Sequence, residues 1–260
     1  GKGDYVFSNF NALGKVYMWV SPVAGVSQGD YAPSRLIITP KKRQMVAAGV
    51  KYNFTQRLNI ESELSYSNND VNTFSRLNSN DDQSVAGMIR LIGDVPLINS
   101  KDSTRNWTMR TKVELEAREQ NFMYIEQYRS VEFDRDWNVR SKPYKGNQLA
   151  SKAGLNFIQN RGNINLEGQQ FLIGDDYSGV RGESSGKWND KGFRAIWDGS
   201  YLVSEADQKN TFFRHRADVS QSIGWFRIGY KDDHERNEFR QDVLSTSSYE
   251  FFDYQFYLAN

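Results

Sequence analysis

Strict alternation of residue type along segment 107–118 is the feature that most constrains how this chain can fold. The positions on one side of an extended strand hold Trp107, Met109, Thr111, Val113, Leu115 and Ala117. The positions between them hold Thr108, Arg110, Lys112, Glu114, Glu116 and Arg118. Because successive side chains of a strand point to opposite sides of its sheet, this period of two predicts a strand with one apolar and one polar face.

The same alternation recurs along most of the chain after residue 44. It indicates further strands in segments 46–54, 58–66, 85–91, 131–137, 149–157, 164–166, 193–203, 213–219, 226–230 and 252–258. Tight turns are expected at 55–57 and 159–162, and polar loops at 68–82, 173–191 and 237–247. No segment requires a helix.

The pattern predicts an all-β chain, an antiparallel up-and-down meander of about eleven strands that forms part of a transmembrane β-barrel. A soluble β-sandwich that binds carbohydrate or protein through aromatic loops is the alternative, since its sheets also have one apolar and one polar face. Strand length favours the barrel, because a membrane-crossing strand needs roughly 9–11 residues. Segments of this length are 58–67, 106–118, 122–137, 191–204 and 211–220.

The two faces of a barrel strand meet different surroundings, lipid on one side and a hydrated lumen on the other. The lipid-facing candidates are Trp107, Val113, Leu115, Phe193 and Trp197. The lumen-facing candidates are Arg110, Lys112, Glu114, Glu116, Arg214 and Arg216. Their mixed signs suit ion pairs between neighbouring strands.

Tryptophans near strand ends fit the headgroup region of a membrane, and Trp107, Trp137 and Trp188 are expected there. Two observations disfavour the barrel. The predicted loops do not alternate cleanly between short and long, and His215 falls on the face expected to contact lipid.

Composition excludes several classes of protein. The 260 residues include no cysteine, so disulfides and thiolate chemistry are absent, which suits an oxidising envelope. The 33 Lys and Arg nearly balance the 32 Asp and Glu, so charge indicates no nucleic-acid partner. No run approaches the roughly 18 apolar residues of a spanning helix. Aromatic residues make up 14%, which argues against a disordered chain.

The chain divides into two parts by character. Residues 1–44 are expected to form a loop or small cap segment, in which 16–20 could be a short strand, and 45–260 to form the barrel segment. A Gly-Asp-Tyr triplet occurs at 3–5 and again at 29–31. The start lacks a signal peptide and the end lacks the terminal aromatic residue of complete barrels, so we expect a fragment of a longer protein with an open or imperfectly closed sheet.

Four short runs carry a resemblance to a known group of proteins: 29–33 (GDYAP), 39–45 (TPKKRQM), 64–67 (LSYS) and 72–75 (NTFS). With these runs the first third of the chain resembles large, mostly uncharacterised outer-membrane β-barrel proteins of Bacteroidota. The resemblance implies an outer-membrane location and a barrel fold. It implies no defined substrate and no catalytic residues.

No arrangement of residues in the sequence indicates an enzyme. His215 and His234 are the only histidines, and neither has the neighbours of a nucleophilic triad. The acidic pairs at 81–82, 175–176 and 232–233 lack the spacing of a calcium loop. Glu114 and Glu116 lie among cations, which favours ion pairing over the two-carboxylate chemistry of glycosidases.

The expected function is therefore that of a porin-like outer-membrane barrel with a transport or scaffold role. We expect no catalysis, no cofactor and no metal. The expected partners are the lipid of the outer membrane and possibly other envelope proteins, with no nucleic acid.

Overall fold

The computed structural model describes residues 3–33, 38–77, 79–100, 106–139, 143–241 and 243–260. The chain forms two compact units, one of Gly1–Pro40 with Asn72–Phe74 and the other of Lys41–Val71 with Ser75–Asn260. The boundary expected between residues 44 and 45 falls inside the first strand of the larger unit, which begins at Lys42.

The smaller unit is built on a hairpin of β1 (Tyr5–Asn11) and β2 (Gly14–Trp19). The two Gly-Asp-Tyr triplets meet in it. Gly3 and Gly29 exchange backbone hydrogen bonds of 3.0 and 2.8 Å, and Tyr5 and Tyr31 exchange two of 2.9 Å. A Cβ atom on Gly3 would lie 2.2 Å from the carbonyl oxygen of Tyr31. The repeated glycine is therefore needed for the close approach of the two segments.

The larger unit is one sheet of eleven antiparallel strands in sequence order. The strands are β3 (Lys42–Thr55), β4 (Leu58–Asp70), β5 (Gln83–Ile98), β6 (Trp107–Arg118), β7 (Gln148–Gln159), β8 (Gly162–Ile173), β9 (Tyr177–Asp190), β10 (Phe193–Glu205), β11 (Lys209–Ile223), β12 (Phe226–Arg240) and β13 (Tyr249–Ala259). The predicted fold, a nearly all-β up-and-down meander of about eleven strands, is confirmed.

Strand register divides the side chains of this sheet between two faces. Directly paired residues share a face, so Leu115 lies beside Ile89 and Ser151, while Glu114 lies beside Arg90 and Lys152. We call the side that carries Leu115 the apolar face and the side that carries Glu114 the polar face. Both faces continue in register from β3 to β13.

Connections at the two ends of the sheet differ in length. At one end, which we call the turn end, four connections consist of two residues each: 56–57, 160–161, 191–192 and 224–225. The opposite end carries the connections 71–82, 119–147, 174–176, 206–208 and 241–248. The connection 99–106 between β5 and β6 also lies at the turn end and is longer, so loop lengths differ between the two ends only in part. The predicted loop 173–191 is mostly a strand.

Two strand predictions are wrong. Segment 122–137 forms no strand, and its end is the short helix α1 (Phe133–Asp136). Conversely, β9 runs through the predicted loop 173–191. The sequence predicts one strand that does not form and misses β9, so the expected number of strands still equals the observed number. No described helix is long and apolar enough to cross a membrane.

Strand β9 escapes detection because small residues replace large apolar ones on its apolar face. Gly182 pairs with Tyr201 and Gly186 pairs with Trp197. A Cβ atom on Gly186 would lie 2.4 Å from the Trp197 ring and 2.7 Å from the carbonyl oxygen of Asn163. The large ring on β10 thus covers the backbone of β9, and the hydropathy of β9 alone carries no period-2 signal.

The sheet is open, as predicted: along the part of the chain that the structure describes, β3 and β13 each have a single neighbouring strand. Within the larger unit, the described residues form no second sheet.

We predict that Gly186→Ala destabilises the sheet by about 1–3 kcal/mol, because the added methyl group overlaps both the Trp197 ring and a backbone oxygen. Gly182→Ala is the matched control on the same face of β9, where a Cβ atom would meet nothing within 4 Å. Urea unfolding followed by tryptophan fluorescence measures both variants. Equal midpoints for the two would contradict the close packing of Trp197.

Candidate functional site

The five lipid-facing candidates lie on the apolar face, and the paired residues of four of them are apolar or small, whereas Phe193 pairs with Asp190 and Gln221. Val113 is 54% exposed and Leu115 is 44% exposed. Near the turn end, the rings of Trp107 and Trp188 stack with centroids 5.9 Å apart, and Trp197 donates a hydrogen bond of 3.2 Å to Ser184 Oγ. From β3 to β10 this face therefore presents mostly hydrophobic or small side chains, many of them exposed.

The six lumen-facing candidates lie together on the polar face. Arg110 shares a register row with Arg216, and Lys112 shares one with Arg214. Arg110 donates two hydrogen bonds to Asp94, of 2.7 and 3.0 Å, and Arg216 donates one of 3.3 Å to Asp233. All six therefore lie on one face of the sheet, and the three arginines among them have carboxylate partners on neighbouring strands.

A row of alternating charges crosses the polar face from β3 to β7. Lys51 contacts Glu61 at 2.8 Å, Arg90 contacts Glu61 at 3.0 Å and Glu114 at 2.6 Å, and Lys152 contacts Glu114 at 3.7 Å. Glu114 is only 8% exposed. Its burial is offset because cations on three strands surround it, with Lys112 Nζ also 3.2 Å away.

Residues 119–139 and 143–147 of the connection between β6 and β7 fold over the polar face, and we call them the inner segment. Its aromatic side chains pack against the few apolar side chains of that face. The resulting hydrophobic core contains Trp137 of the inner segment together with Ala150, Phe171, Ile173, Tyr177, Leu202 and Phe212 of the sheet. Trp137 was expected at a membrane interface, but it is 3% exposed in this core and its carbonyl accepts a hydrogen bond of 2.5 Å from Tyr177.

Ion pairs join helix α1 of the inner segment to strands β9, β11 and β12. Asp136 accepts hydrogen bonds from Arg214 on β11 at 2.6 Å and from Arg181 on β9 at 3.3 Å. Arg135 donates one of 2.5 Å to Glu235 on β12. This hydrogen bond raises the pKa of Arg135 above its ordinary value, so the guanidinium stays charged.

An amide cluster continues this attachment. Asn138 donates hydrogen bonds to Asn210 and Asn237, and Asn210 donates one of 2.7 Å to Asn237. Asn210 and Asn237 are each 4% exposed, so their polar atoms depend on these bonds.

Arg129 attaches the inner segment to β6 and β7. Its guanidinium donates hydrogen bonds of 2.7 Å to Glu116 and 2.8 Å to Gln148, and it lies 4.3 Å from the centroid of the Phe133 ring. Tyr128 donates a further bond of 2.5 Å to Glu116. Burial raises the pKa of the Tyr128 hydroxyl, so it remains a donor at neutral pH.

A cavity of about 540 Å³ lies between the inner segment and the polar face of β3 to β7. Charged side chains of both signs line it, including Arg90, Lys112, Glu116, Arg129 and Lys152. Apolar side chains, among them Met45, Met88 and Phe122, line it as well, so the cavity has a mixed lining.

The two histidines lie on the apolar face, directly opposite each other on β11 and β12. His215 Nδ1 is 3.2 Å from Asp232, and His234 Nε2 is 2.9 Å from Glu250. Within the described ranges, no three His, Asp or Glu side chains are arranged to hold a metal ion.

Sequence reasoning missed the attachment residues Asp136, Arg181 and Glu235. Arg181 lies in the strand taken for a loop, and Asp136 lies in the segment taken for a strand. The one available signal was the spacing of Phe133 and Trp137, which fits a helical turn as well as an alternating strand.

Comparisons with protein-family models, with curated proteins and with solved structures find no match to this chain.

We predict that Asp136→Asn loosens the inner segment, because Arg181 and Arg214 then lose a shared carboxylate in a shielded site, at a cost of about 3 kcal/mol. Amide hydrogen exchange of residues 133–139 should become faster. Asp134→Asn, at an exposed position of the same helix, is the control and should leave exchange unchanged. Unchanged exchange in Asp136→Asn would show that the other contacts of the segment hold it without this carboxylate.

Proposed function

We propose that this chain is a transmembrane segment of an outer-membrane β-barrel whose polar face lines a hydrated passage that is narrowed by the inner segment. One observation carries the proposal, namely the inverted distribution of polarity on the sheet. Leu115 and Val113 are exposed, while their neighbour Glu114 is buried. In water the hydrophobic effect favours the reverse arrangement, whereas in a bilayer the apolar side must face outward.

Strand length supports a membrane span. Every strand from β3 to β13 has at least 11 residues, and β5 has 16. A tilted strand needs roughly 9–11 residues to cross the hydrocarbon, so each strand of the sheet is long enough.

Aromatic side chains near the turn end support the same orientation. Trp107, Trp188, Phe193, Trp225 and Phe226 lie within a few residues of the turns. Amphipathic and aromatic rings favour the boundary between hydrocarbon and headgroups, where they form a girdle around membrane barrels. The turn end is therefore proposed to lie at one membrane surface.

The polar face suits a passage for small hydrophilic solutes. Its cations and carboxylates are paired, so it has no strong preference for one sign of charge, and the inner segment leaves the cavity beside β3 to β7. Transport is therefore favoured over a purely structural role. The resemblance to outer-membrane proteins of Bacteroidota supports the proposed location, with membrane lipid as the principal partner.

Adjacent residues of β5 test the proposal at one height in the sheet. Ile89→Arg places a cation on the apolar face and should lower the free energy of unfolding in lipid vesicles by about 2–4 kcal/mol near the bilayer midplane. Met88→Arg places it on the polar face, between Glu63 and Glu116, and should be tolerated. Folding in each case is measured by urea titration with tryptophan fluorescence.

The parent chain is the further control. Folding of the parent in buffer without lipid or detergent would overturn the membrane proposal. Equal costs for the two arginine variants in vesicles would overturn the assignment of the faces.

A further inference from the structure

The apolar face changes character between β10 and β13. Through β5, β6, β7 and β8 this face carries no charged residue. On β11 to β13 it carries a compact group of ionisable side chains, which we call the polar sector. The polar sector consists of His215, Asp232, His234, Arg236 and Glu250.

By strand register, residues of the polar sector pair with apolar residues of the neighbouring strands. Asp232 pairs with Ala217 and Tyr254, and His234 pairs with Phe252. Both residues lie inside the roughly 9–11 residues from the turn end that would cross the hydrocarbon. Charged groups at such depth are costly when they face lipid chains.

Pairing within the sheet satisfies the polar sector only in part. His215 contacts Asp232 at 3.2 Å, His234 contacts Glu250 at 2.9 Å, and Arg236 contacts Glu238 at 2.5 Å. Yet the side chains of Arg236 and Glu250 are still 49% and 52% exposed. Arg236 and Glu250 lie at the outer limit of that span, and lipid would contact their exposed atoms if it covered this surface.

We propose that a second copy of this chain covers the polar sector, with the same sector of each copy at the contact. This inference rests on the proposed membrane function. The sector carries Arg236 beside the carboxylates of Asp232 and Glu250, so a two-fold axis can bring Arg236 of one copy to a carboxylate of the other.

Apolar side chains beside the polar sector supply packing area for the same contact. Phe252, Tyr254 and Phe256 on β13 are each more than half exposed. They surround the charged group with rings of the kind enriched at protein interfaces. The contact therefore combines a charged centre with an aromatic border.

The absence of cysteine allows a direct test by crosslinking in lipid vesicles. Phe252→Cys places one thiol beside the polar sector, and Leu64→Cys, on the apolar face of β4, is the matched control. With a short dimaleimide at low protein density, Phe252→Cys should form dimers at several-fold higher yield than Leu64→Cys. Adding Arg236→Leu and Glu250→Leu to Phe252→Cys should reduce its yield to that of the control.

The crosslinking results test the contact between copies separately from the barrel. Equal yields from the two cysteine variants, or a high yield that survives the leucine substitutions, would overturn the contact between copies. Crosslinking in native membranes to a chain of different mass, without dimers, would assign the sector to another protein and also overturn it. These results leave the barrel in place, whereas folding of the parent chain without lipid would overturn the barrel itself.

Discussion

The register of eleven neighbouring strands is the constraint on which the rest of this structure depends. Since side chains alternate along every strand and the ladders keep register, each residue of the sheet is assigned to one of two continuous faces. A slip of one residue would move Glu114 onto the exposed face and Leu115 into the ion-pair row. Pairing of Glu114 with Arg90 and Lys152 opposes such a slip, so the charges of the polar face fix the position of the apolar one.

Sequence reasoning predicted this sheet well where hydropathy contrast is large. From β3 to β8 large apolar residues alternate with polar ones, and the predicted strands agree with the structure except at segment 122–137. It failed at β9, where glycine and serine occupy the apolar face and Trp197 of the next strand covers them. It failed again at segment 122–137, where Phe133 and Trp137 are spaced for a helical turn. In both places the structure depends on contacts with other strands, which the local sequence does not show.

The candidate site could be predicted only in part for the same reason. Local alternation assigns Arg110, Lys112, Glu114, Glu116, Arg214 and Arg216 to one face without any knowledge of tertiary structure. The partners of these residues depend on register and on the path of a long connection: Glu116 meets Arg129, and Arg214 meets Asp136, 78 residues away in sequence. No local pattern indicates that the connection 119–147 returns over the sheet.

The charges of the polar face explain why the inner segment stays attached to the sheet. From β3 to β7 the sheet pairs most of its own charges, but on β9, β11 and β12 the residues Arg181, Arg214 and Glu235 also depend on helix α1. If the segment swung away, it would leave these charges short of partners and would expose Trp137 and Phe212 as well. Both costs oppose opening. In the proposed barrel, the cavity beside β3 to β7 would keep a constant size because the inner segment stays docked, and the paired charges that line it would contact the solutes.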